Sequence, residues 1–242
     1  MSIVKKLTTI ANNMQSVYDA GYEKGKSEGG DNWEDTFWNV YQENGNRSVY
    51  NNAFSGKGWT TETFKPKYNI VPITPTQMFS SSSLLGIDLV EHLKNIKKEL
   101  DFSKCTTFIE LFAYTGVARV GVIDTRSCSN LGTIFAYSYN NLKTIDLLIL
   151  KDDGSQIFSN NSFIQATGLA DITIQGVIGQ TINLQWSGKL SKASITNIIN
   201  ALSTTTSDLS VTISKTAKEA VFTPDEWSAL EATKPNWTIS LS

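Results

Sequence analysis

Histidine is almost absent from this chain of 242 residues, in which His92 stands alone. A relay in which imidazole takes a proton from serine or cysteine would depend on that single ring, and no G-x-S-x-G elbow accompanies it. Cysteine is nearly as scarce. Cys105 and Cys128 are the only two, too few with one histidine to complete a four-ligand zinc site. Arginine numbers 3 against 18 lysines, which leaves few bidentate readers of phosphate. A formal net charge of −2 gives no global attraction to nucleic acid or to an anionic membrane. No uninterrupted apolar run approaches the ~20 residues that span a bilayer, so membrane insertion is not expected. The first 13 residues contain Lys5 and Lys6 but no apolar stretch behind them, and no secretory signal is read there.

What the chain does contain is a repetition. Residues 105–115 (CTTFIELFAYT) and 128–138 (CSNLGTIFAYS) match at a spacing of 23. Cys105 aligns with Cys128, Phe112 with Phe135, Ala113 with Ala136 and Tyr114 with Tyr137. Phe108/Leu131, Leu111/Ile134 and Thr115/Ser138 are conservative pairs. Leu142-x-x-Ile145 and Leu169-x-x-Ile172 continue the step, and the polar turn 151–155 with Gly154 fills a longer unit. A period of 20–29 residues on such steps is the pattern of a leucine-rich solenoid. Apolar runs at 120–123, 145–150, 172–174 and 182–186 read as short strands, expected to stack in parallel as one ribbon. A strand that turns two or three aliphatics inward, at about 1.5–3 kcal/mol each, cannot offset the ordering of about 20 residues at ~1–2 kcal/mol each. The units must therefore stack on one another, which favours a binding or assembly surface over an active site.

Four sections follow from composition. Residues 1–30 open with Ile3, Leu7, Ile10, Met14 and Val17 at helical spacing, then place Gly21, Gly25 and Gly29 four apart beside Tyr18 and Tyr22. This is either a flexible linker, since each glycine costs a helix about 1 kcal/mol, or a close-packed stem. Tyr18, Gly21, Tyr22, Gly25 and Gly29 are the candidate assembly residues. Residues 31–76 are rich in aromatics (Trp33, Phe37, Trp38, Tyr41, Tyr50, Phe54, Trp59, Phe64, Tyr68) and are broken by Pro66, Pro72 and Pro75. They read as a cap over an open apolar end, or as a platform on which sugars stack. Residues 77–190 hold the repeats. Residues 191–242 read as a capping unit: a helix from the N-cap Ser191 to Leu202, a strand over 209–214, a short helix near Lys215, another starting at Pro224, and a closing strand from Trp237. The fold class expected is an α+β solenoid.

Residues 112–146, in which Phe112-Ala113-Tyr114, Val120 to Asp124, Cys128 to Leu131 and Leu142 to Asp146 recur in step, resemble the BspA-like leucine-rich repeat family, over roughly 77–190. Residues 190–203, 211–217, Glu226-Trp227 and 236–241 look like a terminal unit common in such proteins of phages and prophages of Gram-positive anaerobes. Residues 17–29 are similar to leaders on phage structural proteins of those hosts. The repeats here are degenerate, with Phe108 or Val117 at leucine positions. The resemblance implies a virion or phage-derived particle component (tail fibre, baseplate appendage or head decoration), assembled in the host cytoplasm. It would bind other particle proteins through its N-terminus and a host-surface glycan or protein through its body, as a homo-oligomer, with a trimer suited to a bundled stem. A bacterial surface adhesin and a carbohydrate-active enzyme are the alternatives.

Candidate chemistry is sparse, and no cofactor is expected. Asp124 and Asp146 end equivalent runs and could form a glycosidase pair ~5–9.5 Å apart, or serve as turn residues bonding backbone donors. Asp152-Asp153-Gly154 lacks the alternating ligands of a calcium loop, and Gly56-Lys57-Gly58 lacks the spacing of a phosphate cradle. Cys105 and Cys128 read as buried free thiols in a stacked column, with a disulfide between adjacent coils the alternative.

Overall fold

The computed structural model describes residues 60–242 apart from 63, 67, 68, 73, 74, 76, 82 and 83. The candidate assembly residues Tyr18, Gly21, Tyr22, Gly25 and Gly29, and Gly56-Lys57-Gly58, lie outside the described residues. The chain is a mixed α/β protein. Its elements run α1 (Leu89–Asn95), β1 (Arg119–Asp124), β2 (Thr144–Ile149), β3 (Asp171–Gln175), β4 (Ile182–Leu184), α2 (Lys192–Ala201), β5 (Leu209–Ile213), α3 (Lys215–Val221), α4 (Pro224–Glu231) and β6 (Trp237–Leu241). The strands form two three-stranded parallel sheets, β1-β2-β3 and β4-β5-β6.

In the first sheet, Val120, Ile145 and Ile172 stand side by side on successive strands, each buried. β3 alternates cleanly, with Ile172 and Ile174 inward between exposed Asp171, Thr173 and Gln175. β2 breaks alternation because its register with β3 shifts between Ile145 and Leu148. Gly154, in the left-handed region at φ +67°, turns the chain beyond β2, and a Cβ there would lie 3.1 Å from the Cα of Gly179 on the next turn.

The two matched segments stack along another flank of the same rungs. Phe112 N–H donates to Ile134 O and Tyr114 N–H to Ala136 O, while Phe135 N–H and Tyr137 N–H reach on to Ser162 O and Ile164 O. Inside this flank, Phe79, Phe112, Phe135 and Phe163 form a column with centroids 5.2, 6.0 and 5.3 Å apart. Phe64 of the aromatic section packs edge-on to Phe79 at 6.3 Å. The section's other eight aromatics lie outside the described residues.

The single ribbon expected from the apolar runs is corrected here: β4 belongs to a separate sheet with β5 and β6. The reason is α2. It lies beside β3, where a fourth strand would pair, and its side chains supply the missing partners. Ser194 Oγ accepts from Ile172 N at 2.9 Å, Asn197 Oδ1 accepts from Ile174 N at 2.5 Å, and Asn197 Nδ2 donates to Ile174 O at 3.2 Å. An edge strand is thus closed by a helix, which blunts further pairing. The helix itself begins where Ser191 accepts from Ser194 N. It ends on buried Lys234, whose Nζ donates to Asn200 O and Leu202 O. α4 starts on Pro224 behind a complete capping box of Thr223 and Glu226. No helix among the described residues is long and apolar enough to cross a membrane.

Candidate binding surface

Each rung turns a corner just after its phenylalanine, and the corner requires left-handed backbone. Ser81, Tyr114, Tyr137 and Gln165 adopt φ of 53°, 55°, 54° and 54° at equivalent places, and Tyr139 follows at 47°. Glycine or asparagine adopts this conformation most cheaply; a bulky residue there costs on the order of 1–3 kcal/mol. Three tyrosines nonetheless occupy neighbouring corners. Tyr114 and Tyr137 stack face to face at 4.8 Å and 9°, and Tyr139 tilts against both at 6.4 and 6.3 Å. Ring pairs of this kind return about 0.5–1.5 kcal/mol each, so the stack offsets part of the strain. It does not bury the rings, for Tyr114 remains 47% and Tyr139 43% exposed.

The strip continues with polar groups. Asn140 Oδ1 accepts from Thr167 Oγ1 and from Lys189 Nζ, each at 3.4 Å. Gln77 donates to Glu110 beside the first corner. Ser187 Oγ donates to Ala166 O at 3.2 Å, and the adjacent Trp186 is 41% exposed. Partial desolvation, then the phenols of Tyr137 and Tyr139 and the Glu110 carboxylate, push the Tyr114 phenol above its ordinary pKa. It stays a hydroxyl donor well into alkaline solution.

The sequence candidates fall elsewhere. Asp124 closes β1 opposite Ile149, whereas Asp146 is the third residue of β2, next to Ile145, which aligns with Val120. Each is engaged by a different arginine. Asp146 takes a bidentate pair from Arg119 at 2.7 and 2.9 Å, and Arg119 also reaches the α1 N-cap Asp88 at 3.1 Å. Asp124 accepts from Arg126 side chain and backbone, and the side-chain bonds from Arg126 hold its carboxyl below the ordinary range. His92 is buried in α1, its ring on Phe64 at 5.6 Å and its Nε2 against Phe64 O. Asp153 accepts from Ser155 N at 2.9 Å in a local turn. Among the described residues, no three His, Cys, Asp or Glu side chains converge to hold a metal ion. A groove of about 690 Å³ lies between α1 and β1, where Val90, Leu93 and Val122 meet Lys97, Lys98 and Asp101. Its lining holds three lysines (Lys94, Lys97, Lys98) and three carboxylates (Glu99, Asp101, Asp124), so it has no field of one sign.

Cys105 and Cys128 are free and buried. Each Sγ–H donates at 2.9 Å to the carbonyl two residues on, Thr107 and Asn130. Burial pushes the Cys105 thiol up to about 12 and that of Cys128 upward too. At neutral pH the Cys105 thiolate is roughly a thousandfold rarer than in an exposed cysteine. An alkylating reagent is therefore expected to label neither thiol in the native protein and both in denaturant; rapid native labelling would contradict the burial. An unfolded cysteine ionises near pH 8.5. Above that the native state binds more protons than the unfolded one, so stability falls as pH rises towards 12.

Sequence reasoning found Tyr114 and Tyr137 as a repeat pair but missed Tyr139, whose ring tilts against both, and Asn140 beside it. A phenylalanine two residues before the corners at Ser81, Tyr114, Tyr137 and Gln165 marks those four, but no such signal precedes Tyr139. Comparison with protein-family models, with curated proteins and with solved structures yields no match.

Proposed function

We propose that this chain is a non-enzymatic structural and adhesive component of a phage or phage-derived particle, with its rungs forming a degenerate leucine-rich solenoid. The observation that carries the reading is the stacking of side chains at repeat-equivalent positions, Phe112 on Phe135 and Tyr114 on Tyr137. Inward members make a core and outward members a regular surface. Both carboxylates weighed for catalysis are held in arginine pairs, which supports a contact role for that face. The resemblance of residues 17–29 and of the tail to phage structural proteins supports a virion component, a tail fibre, baseplate appendage or head decoration. On this reading it assembles in the host cytoplasm and is anchored through residues 1–30 as a trimer.

Deletion of residues 1–30 is expected to abolish incorporation into particles, read by gold-labelled antibody in electron micrographs. The truncated body should keep the melting midpoint of the full chain and change from trimer to monomer in solution mass. Normal incorporation of the truncated chain would reject the attachment role.

A further inference from the structure

The second sheet ends on an open edge, β6. Its residues Trp237 to Leu241 pair in unbroken register with β5 and with no other described strand. Ser242 N–H donates to Ile213 O at 3.2 Å, and Ser242 O accepts from Lys215 N at 2.8 Å. Along a parallel ladder every second residue turns its backbone groups to the neighbour, so Ser240 and Thr238 also face β5. Trp237, Ile239 and Leu241 turn theirs away. Trp237 N–H is taken by Lys234 O at 3.0 Å. The Trp237 carbonyl and both groups of Ile239 and Leu241 have no protein partner among the described residues.

Such an edge templates further pairing unless lysine, proline, a bulge or a covering element blunts it. The edge of β3 is closed by Ser194 and Asn197 of α2. β6 carries no lysine, proline or bulge, and Thr238 and Leu241 stay exposed along it. Leu241, 38% exposed, shares a face with buried Trp237 and half-buried Ile239.

We propose that β6 pairs antiparallel with β6 of a second copy, about a two-fold axis at Ile239. Only with Ile239 opposite itself do all the outward-turned residues of both copies meet. The two Ile239 residues then exchange a pair of bonds, and Leu241 N–H of each copy donates to Trp237 O of the other. Side chains match by kind in this register: isoleucine meets isoleucine, Leu241 meets Trp237, and Ser240 meets Thr238. No residue of β6 is charged, so the axis sets no like charges face to face. An unrelated strand could use the same backbone groups, but the matched order of side chains belongs to a second copy, as a two-fold interface requires. The contact is small, below the ~1,000 Å² of a lasting interface, and half-association is expected on the order of 100 μM. It is separate from the trimer contact assigned to residues 1–30, and too weak to pair the truncated body in a dilute mass measurement. It holds whether or not the chain belongs to a particle.

The test follows amide hydrogen exchange of the full chain across a concentration series. Ile239 and Leu241 amides should exchange freely in dilute protein and slow about fivefold towards ~1 mM, while those of Thr238 and Ser240 stay protected throughout. Leu241→Pro deletes an outward N–H and no bond to β5, so the melting midpoint should hold and the slowing at Ile239 disappear. If that variant does not fold, the series on the unaltered chain decides alone. Ile239→Cys, oxidised in concentrated protein, should link to itself across the axis, whereas Leu241→Cys, opposite Trp237, should not. The native thiols are buried and stay out of that reaction. Exchange at Ile239 and Leu241 that ignores concentration overturns the pairing. If fast throughout, the edge is left to water; if slow throughout, another part of the chain covers it. Self-linking through Leu241→Cys and not through Ile239→Cys overturns the register, and with it the axis at Ile239.

Discussion

Phe112→Ala is expected to remove about 3–5 kcal/mol of stability, the range for truncating a fully buried aromatic. Phe112 has 0% exposure and sits in the middle of the phenylalanine column. Its ring lies 5.2 Å from Phe79 at 4° and 6.0 Å from Phe135 at 13°, and Phe102 meets it edge-on at 6.2 Å. Truncation takes the ring from between two others that are held by their own backbone bonds to adjacent rungs. Neither can follow it inward, so the cavity stays. Domains of this size are stable by about 5–15 kcal/mol, and the loss would consume a third or more. Denaturant titration checks it through the midpoint at unchanged slope. Tyr114→Ala, 23 residues before the matching Tyr137, is the comparison: with its ring half in solvent, it should cost about 1 kcal/mol or less. Equal losses at the two positions would show that the column is not the core described.

Gln156→Leu is the second large effect, and its cause is polar. Gln156 is 2% exposed and fully used. Its Nε2 donates to Thr125 O at 2.6 Å, to Thr125 Oγ1 at 3.0 Å and to Cys128 O at 3.0 Å. Its Oε1 accepts from Lys151 N at 2.6 Å. The side chain thus ties the turn after β1 to the end of β2. Thr125 O keeps a second donor in Cys128 N, but Cys128 O and Lys151 N would lose their partner. Each orphaned group costs about 1–3 kcal/mol, so leucine should destabilise by about 3 kcal/mol although it is more apolar. Gln156→Glu separates polarity from hydrogen bonding. A carboxylate would face three oxygens and is stable only when protonated, so its folded-state pKa must lie above the ordinary ~4.3. The native state then binds the extra proton, and the variant should lose stability as pH rises through and above that value. A Gln156→Glu protein as stable at pH 8 as at pH 4 would refute the clip.

Much of this architecture was legible because equal residues recur at equal places. Cys105/Cys128, Phe112/Phe135 and Tyr114/Tyr137 were read as one unit met twice, and they stack. The C-terminal elements were legible for a different reason: Ser191 and Pro224 are local signals that act within one turn of chain. The extension of the column to Phe79 and Phe163 was not read. Their spacings differ from 23, and the residues around them have drifted, although a phenylalanine two places before each left-handed corner marks all four. Asp124 and Asp146 look equivalent by position in their runs, yet the register places Asp124 opposite Ile149, three residues beyond Asp146.

By itself the sequence determined that Phe112 and Phe135 occupy equivalent places and where helices α2 and α4 begin, because those facts follow from local repetition and capping chemistry. The tertiary structure alone decided that the strands divide into two sheets, that Ser194 and Asn197 close the edge of β3, that Gln156 clips two turns together, and that Tyr139 joins the Tyr114–Tyr137 stack. Each of these depends on hydrogen bonds or ring contacts between residues 20 to 30 or more apart. Such partners are chosen by how one rung sits on the next, which no short stretch of sequence encodes.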